Sequence, residues 1–327
     1  MALRIVFPKQ NEVELEVFEP EPIRPGALRL KTEVSLLSTG TEGICLQHLF
    51  EPGTHWDDWV KHPFYPGYST VGRITEIGEG VTGWQIGQRA VAWASHATEA
   101  VVDAGGVSPA PESVEPEEAC WFALALVGFM GAKNGRFRLG DSIALVGAGP
   151  VGQMAVRWAV ACGARHVVSI DPVAWRLEMS KKAGATATVC GTVADSIPAV
   201  IEACGGVRPR VVVDVTGHPR VFEQCLALPR DRGVLVVLGD TGAPSQQRLT
   251  RDLIRRGLHI VGAHGSHEEG EWSRRAIDEL FFDLVQRHRF DVSGLVTHVF
   301  RPEQCKEAYT LVTSGREASM GILFDWR

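Results

Sequence analysis

Three glycines in "SIALVGAGPVGQ", Gly147, Gly149 and Gly152, stand at the G-x-G-x-x-G spacing directly after an apolar run of strand length. That spacing binds phosphate. The first glycine permits a tight turn, the second lets the backbone approach a pyrophosphate, and the third lets the next helix pack close to the strand. Pro150 and Val151 then open a helix whose unpaired N–H groups and partial positive charge meet the phosphates. The following apolar run ends in Asp171, about 20 residues beyond the motif. A carboxylate there suits the adenosine ribose hydroxyls and repels a 2′-phosphate, so the expected cofactor is NAD rather than NADP. The competing reading is a turn without nucleotide, in which Asp171 caps the helix starting near Pro172. Arg176 lies either along the adenine ribose or on a solvated helix face. Thr216-Gly217, Leu238-Gly239 and Ala263-His264 close later strands. Ligands of parallel sheets sit over such strand ends.

Proton transfer needs a different group, and histidine is the side chain that titrates near neutrality unaided. His264 follows the sixth of these strands in "VGAHGSH", and His96 follows Trp93 in "WASHATE". His48, His55 and His62 share the stretch 43–66 with Trp56 and Trp59, which reads as an irregular substrate lid. His55, Trp56 and Trp93 are the expected substrate contacts. Each histidine alone is equally at home as a hydrogen-bonded structural residue. As a set they offer a base without naming it, with His264 and His96 the first candidates.

The elements that position these groups change character along the chain. Up to about residue 115 the chain reads as short strands separated by Gly/Pro turns, such as "ALRLKTEVSLLS", "STVGRITEIG" and "QRAVAWA". Beyond it, six uniformly apolar runs alternate with helical stretches at 151–162, 173–183, 195–204, 219–228 and 247–256. Such an alternation indicates a parallel sheet covered on both faces, wound as a dinucleotide-binding domain. A helix at 271–288, a strand in "GLVTHVF", a helix at 302–314 and the strand "GILFDW" return the chain to the first domain. The expected class is therefore α/β, in two domains.

Hydrophobic residues make up 45% of the 327 and charged residues 22%, the balance of an ordinary soluble globular protein. With 33 basic against 39 acidic side chains, a net charge of −6 and no basic run, nucleic acid and anionic membrane surfaces are poor partners. The seven cysteines are dispersed, with no C-x-x-C and no finger spacing, as expected for free thiols in a reducing cytoplasm. The apolar stretch "ACWFALALVGFMGA" is too short to span a bilayer.

The chain resembles the medium-chain dehydrogenase/reductase superfamily over essentially its whole length. "STGTEG", "YPGYSTVGRITEIGEGVTGWQIGQRA", "LGDSIALVGAGPVGQ", "IDPVAWRLEMSKKAGA" and "EAYTLVTSGREASMGILFDW" carry the likeness. It implies a GroES-like β-rich catalytic domain over 1–123 and 265–327 and a Rossmann NAD-binding domain over 124–264. It also implies a homodimer or homotetramer joined at the edge of the sixth strand. Zinc-dependent members carry a cysteine where Thr39 stands here, and a His-Glu pair where Tyr68 and Ser69 stand. Their third ligand aligns near Phe122 or Ala123. Catalytic zinc takes three N, S or carboxylate ligands, so no metal is expected. The "S-x-GTE" and "PGY" signatures are similar to a zinc-independent branch with bacteriochlorophyllide-pathway and sugar or polyol dehydrogenases.

Without zinc, side chains must hold the reacting oxygen and move its proton. Thr41 matches the family's relay hydroxyl, against a plain β-turn threonine. Tyr68 either donates to the substrate oxygen or fills the vacated metal site; a phenol with its ordinary pKa near 10 is a poor base. The expected activity is NAD-dependent oxidation of a secondary alcohol on a sugar, polyol or cyclitol. A quinone or enone reductase and a non-catalytic nucleotide-binding protein are the alternatives.

Overall fold

The computed structural model describes residues 1–327, the side chain of Arg316 excepted. Along the chain run strands β1 (Ala2–Val6), β2 (Glu14–Phe18) and β3 (Ala27–Leu37), then helices α1 (Thr41–Gln47) and α2 (His55–Trp59). Strands β4 (Thr70–Ile77), β5 (Arg89–Ala92), β6 (Glu99–Asp103) and β7 (Val107–Pro109) follow, with helices α3 (Pro116–Ala119) and α4 (Phe122–Asn134). An alternating series comes next: β8 (Ser142–Val146), α5 (Pro150–Ala161), β9 (His166–Asp171), α6 (Ala174–Lys182), β10 (Ala187–Cys190) and α7 (Val193–Ala203). It continues with β11 (Val211–Asp214), α8 (Pro219–Cys225), β12 (Val234–Val237), α9 (Arg251–Arg256) and β13 (His259–Gly262). Helix α10 (Arg274–Gln286), β14 (Val296–Phe300), α11 (Cys305–Ser314) and β15 (Gly321–Asp325) close the chain.

The chain divides into two compact units, one of Met1–Leu124, Glu269–His288 and Val292–Arg327, the other of Ala125–Glu268 and Arg289–Asp291. In the first unit a seven-stranded sheet runs β14-β15-β3-β4-β5-β7, with β6 also paired to β3, beside a two-stranded β1-β2 sheet. Strand β3 is buried at nine of its eleven positions, Arg29, Thr32 and Ser35 among them, because it pairs with β15, β4 and β6. Ile5, Phe7, Leu37, Trp56, Tyr309 and Phe324 pack in one core, and Leu28, Leu30, Ile74 and Ala90 in another.

The second unit is a six-stranded sheet in the order β10-β9-β8-β11-β12-β13, parallel throughout. Val146, Val168, Ile170, Val212 and Leu235 pack under the helices, so burial on both faces explains the absence of polar alternation. The order reverses between β8 and β11, and β8 delivers the glycine motif at that point. Such a switch point is where doubly wound sheets bind ligands.

The stretch 43–66 differs from an irregular lid. It holds α2 and most of α1, and Trp56 is 4% exposed within the first core. Helix α9 begins at Arg251 rather than 247, because Pro244–Gln246 forms a 3-10 turn and the Thr250 hydroxyl accepts from the Asp252 N–H at 3.3 Å. Among the described residues no helix is long and apolar enough to cross a membrane.

Candidate active site

The glycine loop of the second unit meets each steric demand of its motif. Gly147 has φ +97°, and its N–H donates to the Ile170 carbonyl at 2.9 Å. A Cβ on Gly152 would collide with the Gly147 carbonyl oxygen, whereas one on Gly149 would meet only the Arg176 Nη1, at 4.0 Å. The loop is thus closed beneath and open above, and Pro150 occupies the first turn of α5, where its missing N–H costs nothing.

Asp171 is 6% exposed. Its Oδ2 accepts from the Ala148 N–H at 2.7 Å and its Oδ1 from the Val173 N–H at 2.8 Å. It therefore fixes the glycine loop and caps the next turn, and each oxygen keeps a second lone pair for a ribose hydroxyl. Thr216 donates through its hydroxyl to Asp214 Oδ1 at 2.7 Å, while its methyl lies 3.0 Å from the Cβ position of Gly147. Burial pushes the Asp214 carboxyl up from its ordinary value. Gly217 has φ +65°, and its Cβ position lies 2.6 Å from the Asp240 carbonyl; Gly239 abuts the Gly217 N–H. Leu238 and Ala263 are buried at the ends of β12 and β13. These residues line one edge of one unit and fit a dinucleotide. His264 is exposed in the same unit, its Nδ1 2.8 Å from the Ser266 hydroxyl.

The first unit carries the other candidates. Tyr68 is half-buried; its ring stacks on Trp93 at 5.3 Å and 13°, and Trp93 meets the edge of Phe122 at 6.2 Å. The Arg274 guanidinium lies 4.8 Å from the Trp93 ring centre. The Tyr68 hydroxyl donates to Ser38 Oγ at 2.6 Å and also hydrogen-bonds the Thr41 hydroxyl. Burial pushes the phenol up to about 12, partly offset by those two hydrogen bonds. Tyr68 is therefore a neutral donor, not a base. Thr41 is the first residue of α1 rather than part of a β-turn.

Two expectations need correction. His96 is fully buried, with Nδ1 2.7 Å from Ser35 Oγ and Nε2 3.1 Å from Glu42 Oε2. Both ring nitrogens are occupied and no face is open, so it does not meet substrate as a base. Trp56 belongs to the core and is not a substrate contact, because its indole packs beneath the short helix α2. His55 is exposed beside it, 5.2 Å between ring centres. The residues that sequence reasoning missed are Ser38, Glu42 and Tyr309. A signal was present in "STGTEGICL": an acid that would face an apolar helical stripe.

Where the resemblance to zinc-dependent dehydrogenases would place metal ligands, the chain holds Thr39, Tyr68, Ser69 and the apolar Phe122 and Ala123. Ser69 Oγ donates to the Cys120 carbonyl at 2.5 Å. Burial pushes the Cys45 and Cys120 thiols well up from the ordinary thiol value. Among the described residues no group of three or more His, Cys, Asp or Glu side chains is arranged to hold a metal. This donor set of hydroxyls and a neutral phenol does not fit a catalytic zinc.

Two family models match the chain: an alcohol dehydrogenase GroES-like domain over residues 32–138 and a zinc-binding dehydrogenase over residues 150–281. An L-threonine 3-dehydrogenase of Chromobacterium violaceum is 27% identical over 311 residues, covering 84% of this chain and 87% of the relative. The crystal structure of 2R,3R-butanediol dehydrogenase from Bacillus subtilis has a TM-score of 0.83 over 99% of both chains, at 18% identity. A protein described as a short chain alcohol dehydrogenase from Escherichia coli, complexed with NADH, has the same score, coverage and identity.

Proposed function

We propose that this chain, matched by an alcohol dehydrogenase GroES-like domain and a zinc-binding dehydrogenase model and similar to dehydrogenases acting on CH–OH groups, is a medium-chain dehydrogenase/reductase that oxidises a secondary alcohol with NAD and without zinc. The observation that carries the reading is the hydroxyl cluster of Tyr68, Ser38 and Thr41, in which the resemblance puts Tyr68 at a metal-ligand position and Thr41 at the relay hydroxyl. The glycine loop and Asp171 hold NAD, which supplies the hydride acceptor. With substrate bound, the Ser38 hydroxyl rotates to donate to the phenol, Tyr68 turns its one proton to the substrate oxygen, and Thr41, able to accept and donate at once, passes the alcohol's proton to solvent. The alcohol loses a hydride from carbon and a proton from oxygen, giving a ketone, NADH and a proton. A sugar, polyol or cyclitol is the substrate class, its hydroxyls matched by the polar cluster.

Asp171 supports NAD over NADP, because a 2′-phosphate would face a carboxylate already held against the loop. An absorbance screen for NADH formation across polyols, simple alcohols and quinones tests the reading. Turnover on polyols with NAD, and at least about tenfold weaker binding of NADP by calorimetry, is the expected result. Quinone reduction alone, or equal affinities, contradicts it.

A further inference from the structure

Glu42 is 2% exposed, on the first turn of a helix otherwise apolar on its inner side. Burying a carboxylate there is expensive, and an apolar residue of similar volume would be cheaper. One of its partners is local, and two come from distant parts of the first unit. Oε1 accepts from the Ser38 N–H at 2.8 Å. Oε2 receives the Tyr309 hydroxyl from α11 and lies 3.1 Å from His96 Nε2. Behind His96, the Trp326 indole donates to Ser35 Oγ at 2.8 Å, and Ser35 lies 2.7 Å from His96 Nδ1. One assignment satisfies every donor: indole to serine, serine hydroxyl to Nδ1, and Nε2–H to the carboxylate.

The outcome of that chain is the position of Ser38, whose hydroxyl takes the Tyr68 phenol. We propose that Glu42 is a positioning residue for the oxidation: anchored by Tyr309 and His96, its carboxylate fixes the Ser38 turn and so the place of the Tyr68 phenol oxygen, which turns its one proton to the substrate oxygen when the Ser38 hydroxyl rotates to donate to it. This rests on the reading of Tyr68 as the donor in an alcohol dehydrogenase. The ring itself is held separately, by Trp93, so loss of Glu42 frees the direction of the hydroxyl without unseating the phenol. A purely structural role would instead tie α1 to α11 and affect every function of the fold alike.

A double-mutant cycle separates the two. Glu42→Gln keeps an acceptor for the Ser38 N–H but turns one oxygen into a donor that opposes the Tyr309 hydroxyl. In the wild-type background kcat falls on the order of tenfold, since small misplacements of a catalytic group are costly, while the KM for NAD is unchanged. In the Tyr68→Phe background the same substitution costs less than about twofold, the scatter of uncoupled changes. Tyr309→Phe, which removes only a hydroxyl, gives a smaller fall with the same dependence on Tyr68, and serves where Glu42→Gln does not fold. Turnover in the wild type with losses that multiply in the double variants overturns the positioning role alone. No turnover of any secondary alcohol overturns the functional reading and this inference with it.

Discussion

At Tyr68 two sets of contacts divide the work: the ring rests on Trp93, and the hydroxyl is taken by Ser38 and Thr41. Tyr68→Phe keeps the first and removes the second. Loss of one donor to a developing oxyanion typically costs about a hundredfold in turnover, so kcat is expected to fall by that order while NAD affinity survives. A fall below about threefold, under 0.7 kcal/mol, would make the phenol a filler and move the burden onto Thr41 and a histidine. Residue types alone could nominate Tyr68 and Thr41, because each stands in a local motif. They could not place His96, since its partners Ser35 and Glu42 are far away in sequence. A histidine after a strand looks equally free or occupied until the fold closes around it.

Among the elements, the glycine loop was the most legible. Its demands are local: β8, the turn and α5 are consecutive, so three glycines at fixed spacing report a steric fact directly. Gly152→Ala tests that fact. Its Cβ would meet the Gly147 carbonyl oxygen, backbone that cannot swing aside. The expected outcome is a lowered Tm together with NAD binding weakened at least about tenfold, the size of a 1.4 kcal/mol loss within the range for overpacking; unchanged calorimetric affinity would show that α5 need not approach so closely. The stretch 43–66 was less legible. Its Gly, Pro, His and Trp residues resemble a loop, yet Trp56 buries itself and draws α2 onto the core of the first unit. Tertiary burial outweighed local composition there.

For the molecule as a whole, composition and alternation were enough to indicate a β-rich unit and a doubly wound parallel sheet, because burial on both faces leaves an unmistakable apolar pattern. Assembly is a further expectation at this scale. Strand β13 ends the sheet with only β12 beside it, and Ile254, on the preceding helix, is 89% exposed. An unpaired parallel edge is a liability that proteins cover. The chain should therefore be at least dimeric by light scattering at micromolar concentration, with Ile260→Pro, whose N–H faces away from β12, shifting it towards monomer. A wild-type monomer would show that the edge is tolerated bare.

The claim on which the account turns is that hydroxyl groups, not a metal, hold the reacting oxygen. Elemental analysis of the purified protein, paired with NAD-linked turnover before and after exhaustive chelation, addresses it most directly. The account predicts well under one zinc per chain and turnover unchanged by chelator. Stoichiometric zinc, with activity lost on its removal and restored on its return, would contradict it.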